Sequence, residues 1–295
     1  MANLKEVRNR IASVASTMQI TSAMKMVSAA KLRKAQNAVV SFRPYSATLT
    51  QVIDNVMGDN VDIDSPYNKE RHIDNVLLVV LSSNKGLCGA FNSSVIKQAL
   101  HRIKDYYKQD KYIKVDVWSF GRKSSDFFAK SKEGNLIKRS DELWENLSFD
   151  KLSEISSKLM DSFAHGTYDA IEIIYNHFKN VATQQVCQER FLPLTSLNNN
   201  DSKDTKEEKK FYIFEPSREQ IMSNIIPQAL NSQFYKCFLD SFASEHGARM
   251  TSMNKATDNA TQLLKDLKLS YNKVRQAAIT NEIIEISSAS EALKG

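Results

Sequence analysis

Apolar and small residues in the last quarter of the chain recur at steps of four and three. From Met253 the row runs Met253, Thr257, Ala260, Leu264, Leu267, Tyr271, Val274 and Ala278. That is a heptad seam rather than the wider stripe of a globular surface helix, and it predicts a coiled coil. The stretch 217–290 holds a single proline, Pro227, and a single glycine, Gly247, so little punctuates the helix. At about 1.5 Å of rise per residue such a helix reaches roughly 100 Å. No compact domain of this chain covers that length, so the helix needs a partner along it.

A matching row lies at the other end. Leu4, Val7, Ile11, Val14, Met18 and Thr21 keep the same spacing, which continues through Lys25, Ser28, Leu32, Ala35 and Val39. Asn3 followed by Glu6 fits a capping box, and no Gly or Pro follows until Pro44. The helix is expected to continue past Pro44, kinked, to about residue 57. One terminal helix enters the intervening domain and the other leaves it. Packed alongside each other, the two therefore run antiparallel.

Between them, residues 74–215 read as an α/β domain. Asn75-Val-Leu-Leu-Val-Val-Leu-Ser82 is a continuous apolar run, as in a parallel strand buried on both faces. A helix at 93–110, a strand at 112–120, a helix at 152–164 and a strand at 170–175 follow. Gln184–Leu194 and Phe211–Phe214 read as two more strands, joined as a hairpin. Thr195–Lys210 is polar and rich in Asn and Lys, a mobile loop by composition. The expected fold class is α/β: an antiparallel coiled coil of terminal helices (1–57 and 217–290) with an inserted Rossmann-like domain.

Charge changes the picture. The net charge is +6, yet residues 1–43 carry eight Lys and Arg against Glu6 alone. A basic helix suits nucleic acid, an anionic membrane or an acidic protein. No aromatic occurs in residues 1–41, which argues against stacking on single-stranded bases. Apolar runs are too short to span a bilayer, and no secretory leader core is expected from the charged N-terminus. Three cysteines (Cys88, Cys187, Cys237) without metal spacing suit a reducing compartment.

Candidate chemistry is sparse. Lys85-Gly86-Leu-Cys88-Gly89-Ala-Phe-Asn92 links a strand to a helix, where phosphate loops sit, but it carries neither dinucleotide nor Walker spacing. The simpler reading is a tight turn. Cys88 at a helix N-terminus has no His or Asp partner nearby in sequence. The five histidines (His72, His101, His165, His177, His246) show no ligand spacing. Gly247 beside His246 reads as a small residue at a close helix contact. Arg275 and Gln276 lie off the seam, either simply solvated, as polar groups on a protruding rod usually are, or available to grip a surrounding partner.

Three stretches together resemble the γ subunit of the rotary F-type ATP synthase. They are Lys5-Glu-Val-Arg8 with Ile20-Thr-Ser-Ala-Met24-Lys-Met26-Val-Ser-Ala-Ala-Lys31; Ser83-Asn-Lys-Gly86-Leu-Cys-Gly89-Ala-Phe-Asn92; and Ser244-Glu-His-Gly-Ala-Arg249-Met-Thr-Ser-Met253 with Leu269-Ser-Tyr271-Asn-Lys-Val-Arg275-Gln276-Ala-Ala-Ile279-Thr280-Asn-Glu282. The chain departs at Ala90, where glycine is common in the family, and in the polar segment 195–210. The resemblance implies a rotating shaft inside a hexamer of α and β subunits, with an α/β foot on the ε subunit and the c-ring of Fo. It implies coupling of proton flow to ATP synthesis on the β subunits, no catalytic residue or cofactor in this chain, and no nucleic-acid partner. It places the chain peripherally at the cytoplasmic face of a bacterial inner membrane, touching the membrane only through Fo. Met24, Lys25, Arg275 and Gln276 match positions that face β subunits, and Tyr212 matches an aromatic near the rotor ring and ε. The rival reading is an α/β nucleotide-binding protein with a coiled-coil arm.

Overall fold

The computed structural model describes residues 4–57, 66–69, 71–144, 147–181, 183–194 and 218–292. The elements are α1 (Leu4–Met57), β1 (Asn75–Leu81), α2 (Phe91–Gln109), β2 (Lys114–Phe120), α3 (Arg122–Phe128), β3 (Asn135–Arg139), a 3-10 turn (Asp141–Trp144), α4 (Phe149–Ala164), β4 (Ala170–Phe178), β5 (Gln184–Leu192) and α5 (Arg218–Ala292). Two compact units result: residues 1–29 with 249–295, and residues 30–248. The division falls inside α1 and α5 rather than at their ends.

The first unit is an antiparallel coiled coil. Every residue of the two seam rows that lies in it is buried or half-buried, from Leu4 to Ser28 on α1 and from Met253 to Ala278 on α5. Cross-helix contacts fix the register. Thr261 Oγ1 lies 3.4 Å from Met18 Sδ, the Thr21 and Thr257 hydroxyls are 2.9 Å apart, and Lys25 Nζ donates to Asn254 Oδ1 at 2.5 Å. Successive contacts move up α1 and down α5, as antiparallel pairing requires.

The second unit is built on a five-stranded sheet of order β3-β2-β1-β4-β5. β1, β2, β3 and β4 are parallel and β5 returns antiparallel to β4. β1 is buried on both faces because its side chains alternate between two cores. Val76, Leu78 and Val80 join Val95, Ala99, Ile103 and Tyr106 of α2. Leu77, Val79 and Leu81 face the core that takes in Leu152, Leu159 and Phe163 of α4 and Ile226, Phe234 and Phe238 of α5. Sequence periodicity found β1, α2, β2, α4, β4 and β5 within a few residues. It missed α3, too short at seven residues to show a period, and β3, an edge strand exposed at four of its five positions. β5 pairs with β4; residues 195–210 and 211–214 lie outside the described residues.

Two polar features hold the sheet together. Gly121, at φ +106°, is the only residue type that fits between β2 and α3, because a Cβ there would stand 2.0 Å from the Ser82 carbonyl oxygen. On β4, Glu172 is buried in the α2 face of the sheet. It accepts from Arg102 Nε at 2.8 Å and Nη2 at 2.7 Å, from Tyr106 at 2.7 Å and from Gln188 at 3.0 Å. The carboxylate holds the guanidinium charged, and burial with the carboxylate beside it pushes the Tyr106 hydroxyl up. Elsewhere the helix is less well served. The buried hydroxyls of Ser232, Ser241 and Ser244 on α5 have no hydrogen-bond partner among the described residues.

Glu172→Ala leaves Arg102 facing an uncompensated buried site, and should cost about 3–5 kcal/mol in urea unfolding of the full chain. Glu172→Gln, which keeps two acceptor sites in part, should cost clearly less. Equal losses would show that charge at this position is irrelevant.

Candidate functional site

The coiled-coil unit carries the strongest candidate surface, and its geometry starts from the seam. Around Lys25 the seam is polar rather than apolar: Thr21, Lys25 and Ser28 on α1 meet a stretch of α5 containing Thr257 and Asn254. Lys25 is half-buried and bonded across the seam, and Asn254 Nδ2 in turn donates to Asp258 Oδ2 at 3.2 Å. The sequence puts Lys25 on the seam row, and the resemblance has it facing a β subunit. The structure gives it an amide inside the chain. Asn254 was missed, although a lysine at a core position demands a polar partner across the seam.

The faces turned away from the seam are more apolar than water-facing helix surfaces usually are. Ile20, Met26 and Val27 are 58%, 65% and 57% exposed, whereas Met18 and Met24 are half-buried. Carried on at the same stagger, the pairing brings the start of α1 level with about Val274 of α5. Beyond Ala278 every described residue of α5 is exposed, including Ile279, Ile283, Ile284 and Ile286. Here α5 has outrun its partner in this unit. Arg275 and Gln276 are exposed just before that point, and Lys25 pairs some twenty residues earlier on α5. Met24 with Lys25 and Arg275 with Gln276 are thus two separate places, about 30 Å apart along the helix. Tyr212 lies outside the described residues.

In the α/β unit the loop 83–92 turns its polar groups inward. The Ser83 amide donates to Asn92 Oδ1 at 2.9 Å, Asn92 Nδ2 donates to Ser83 Oγ at 2.8 Å and to Cys88 Sγ at 3.1 Å, and Ser83 Oγ donates to the Lys85 carbonyl at 2.7 Å. Cys88 is buried. A side-chain amide therefore holds the strand-end N–H that a bound phosphate would need, and the tight-turn reading accounts for the glycines. Next to this loop lies a feature sequence reasoning did not find: the buried hydroxyls of Ser82, Ser119, Ser124 and Ser125 bond to one another and, through Ser125, to Asp141 Oδ1 at 2.6 Å. Sealed from solvent and without an imidazole, the cluster braces the ends of β1 and β2.

The histidines are scattered. His72 and His177 bond to Asp74 and Asp240, His165 to the Asp161 carbonyl, and His246 packs on Phe242. Among the described residues no three His, Cys, Asp or Glu side chains gather where a metal ion could sit. Gly247 is tightly packed, but against Phe178 and the Val181 backbone of the β4–β5 connection, 3.3 Å and 3.7 Å from where a Cβ would be. The close contact is to a hairpin, not to a second helix.

A family model described as ATP synthase matches residues 3–293. The ATP synthase gamma chain of Flavobacterium psychrophilum is 52% identical over the whole of both chains, and that of Bdellovibrio bacteriovorus 41% identical over the whole of both. The chain belongs to the ATP synthase γ-chain family. Solved structures agree in fold. A chain of the Euglena gracilis mitochondrial ATP synthase (OSCP/F1/c-ring, rotational state 3) matches with a TM-score of 0.63 at 19% identity, covering 98% of this chain and 94% of that one. A chain of the Tetrahymena thermophila mitochondrial ATP synthase central stalk/c-ring matches with a TM-score of 0.56 at 24% identity, over 80% of this chain and 99% of that one. The γ-chain fold is thus an antiparallel coiled coil with a parallel-dominant sheet, and no described helix is long and apolar enough to cross a membrane.

For a γ chain the polar layer at Lys25 has a measurable signature. Lys25→Met together with Asn254→Leu replaces it with apolar packing and should stabilise the coiled coil by about 1 kcal/mol, since a polar core layer trades stability for register. Lys25→Glu sets a carboxylate beside Asn254 and Asp258 and should destabilise it by about 1 kcal/mol. Thermal unfolding followed by circular dichroism checks both. No effect from either would mean that the Lys25–Asn254 bond is not held in solution.

Proposed function

We propose that the chain is the rotating central-stalk subunit of an F-type ATP synthase, coupling transmembrane proton flow to ATP synthesis on the β subunits and holding no catalytic site itself. The observation that carries this reading is the γ-chain coiled coil whose longer helix ends bare. Isoleucines at 279, 283, 284 and 286 stand in the open beyond the partner helix, and exposed apolar surface of this kind belongs against another protein. A ring of α and β subunits supplies such an enclosure. Within it, Arg275 and Gln276 would grip a β subunit at one level, and Met24 and the basic face around Lys25 another. The foot, including Tyr212, would rest on the ε subunit and the c-ring of Fo, and contact the membrane only through them. The locus would be the cytoplasmic face of a bacterial inner membrane.

The nucleotide-binding alternative has less support, because Asn92 already takes the Ser83 amide in the strand-to-helix loop 83–92.

The direct test is co-purification from membranes with α and β subunits, together with the absence of ATP hydrolysis by the chain purified alone. Recovery without them, or turnover by the isolated chain, would overturn the reading. Arg275→Ala with Gln276→Ala removes exposed side chains and should leave the melting temperature of the chain unchanged. Loss of the charge-assisted hydrogen bonds to the partner should lower ATP synthesis in membrane vesicles about tenfold or more. Synthesis at the wild-type rate would remove these two residues from the interface.

A further inference from the structure

Within the α/β unit the β4–β5 hairpin is fastened to α5 along one line of polar side chains. On the sheet side the line is Tyr175 and His177 of β4 with Cys187 and Glu189 of β5, which share a face because Tyr175 pairs with Cys187. On α5 it is Gln233, Cys237 and Asp240, spaced four and three apart on one side of the helix. Glu189 accepts from Tyr175 at 2.5 Å, from Gln233 at 3.5 Å and from Cys237 at 3.6 Å. Asp240 accepts from His177 Nδ1 at 2.7 Å, and that is the only hydrogen bond its carboxyl makes among the described residues. One turn or two further on, Phe178 and Val181 close on Gly247.

Asp240 is served far worse than the other buried carboxylate of this unit. Glu172 takes four hydrogen bonds, two of them from a guanidinium. Asp240, with only 9% of its side chain exposed, has one imidazole, and that imidazole is 42% exposed at the rim. A carboxylate taken out of water with so few donors has lost its hydration without replacement. Burial accordingly pushes the Asp240 carboxyl up from its usual range, and Glu189 adds to the rise, while His177 and Lys236 pull it back. Tyr175, Cys187 and Cys237 also feel the carboxylate. Burial pushes all three of them up, so they stay neutral where Asp240 titrates and supply no countercharge.

We propose that Asp240 and His177 form a proton-controlled catch between α5 and the β4–β5 hairpin, closed while the pair holds its protons and loosened as it gives them up. A carboxyl raised in the fold contributes stability that is fully present below about pH 4, where aspartates of the unfolded chain are also protonated. That contribution is lost as pH rises through the higher value in the fold. Histidines change charge between about pH 5 and 8, so a further rise removes the imidazolium that offsets the buried carboxylate. Both steps loosen the hairpin in the same direction, and the rim position of His177 gives the pair its route to water. The catch lies wholly within the α/β unit and does not depend on the central-stalk reading.

The test is native-state hydrogen exchange of the full chain from pH 4.5 to 8, with rates corrected for the intrinsic effect of pH and read by mass spectrometry. Peptides covering 175–178 and 184–189 report the hairpin, and those covering β1 and β2 serve as the internal reference. Hairpin protection should fall several-fold as pH rises, while the reference strands stay level. Asp240→Asn keeps an acceptor for His177 and removes the charge. It should hold the hairpin closed across the range, protecting it better than the wild type at pH 8 by a margin that narrows toward pH 4.5. His177→Gln keeps a donor but removes the imidazolium, and should move the fall to higher pH. If Asp240→Asn does not fold, the wild-type profile and His177→Gln still decide. Protection independent of pH in the wild type overturns the proposal. So does the same pH dependence in Asp240→Asn, a fall unmoved in His177→Gln, or a fall shared equally by β1 and β2.

Discussion

Everything in the coiled-coil unit depends on one narrow stripe. Two segments from opposite ends of the chain bury a row only one heptad seam wide, and each leaves most of its circumference outside that contact. A seam of this width stabilises a pair of helices but cannot cover Ile20, Met26 and Val27 as well. The same constraint explains the bare end of α5. Past the start of α1, the described residues of this unit offer the isoleucines beyond Ala278 nothing to pack against.

Within that stripe the polar layer at Thr21, Lys25, Thr257 and Asn254 is the part that specifies rather than stabilises. An all-apolar seam slides by a heptad at little cost, whereas a lysine whose ammonium must find an amide fixes one alignment. The ion pair in the α/β unit works in a similar way. Glu172 and Arg102 are not there because a buried charge pair is worth more than two leucines; it often is not. They bind α2 to β4 in one register, since any shift would separate a desolvated carboxylate from all of its donors.

The parts of this structure that were legible in the sequence are those with a period. Both seam rows, the doubly buried strand β1 and the alternation of strands with helices each leave a repeating mark, and each stands where that mark puts it. The unread parts have no local mark. α3 is shorter than two helical turns and β3 is an edge whose side chains face water. The tight neighbour of Gly247 comes from Phe178 and Val181, some seventy residues away, and His177, the partner of Asp240, comes from the same hairpin. For the candidate site, sequence located Lys25 on the seam, Arg275 and Gln276 off it, and the loop 83–92 between strand and helix. It could not show that Lys25 is already engaged by Asn254, or that Asn92 occupies the end of its own loop, because those are pairings chosen by folding.

The unpartnered serines on α5 give that helix a mechanical property its backbone alone does not have. A buried hydroxyl left without a partner costs about 1–3 kcal/mol, and Ser232, Ser241 and Ser244 bear that cost. A serine can turn its hydroxyl onto the carbonyl one turn back, and helices that do so bend. Flexing α5 at these positions therefore recovers hydrogen bonds that the relaxed shape lacks. Residues 232–244 are therefore the part of α5 that gains most hydrogen bonding from a bend.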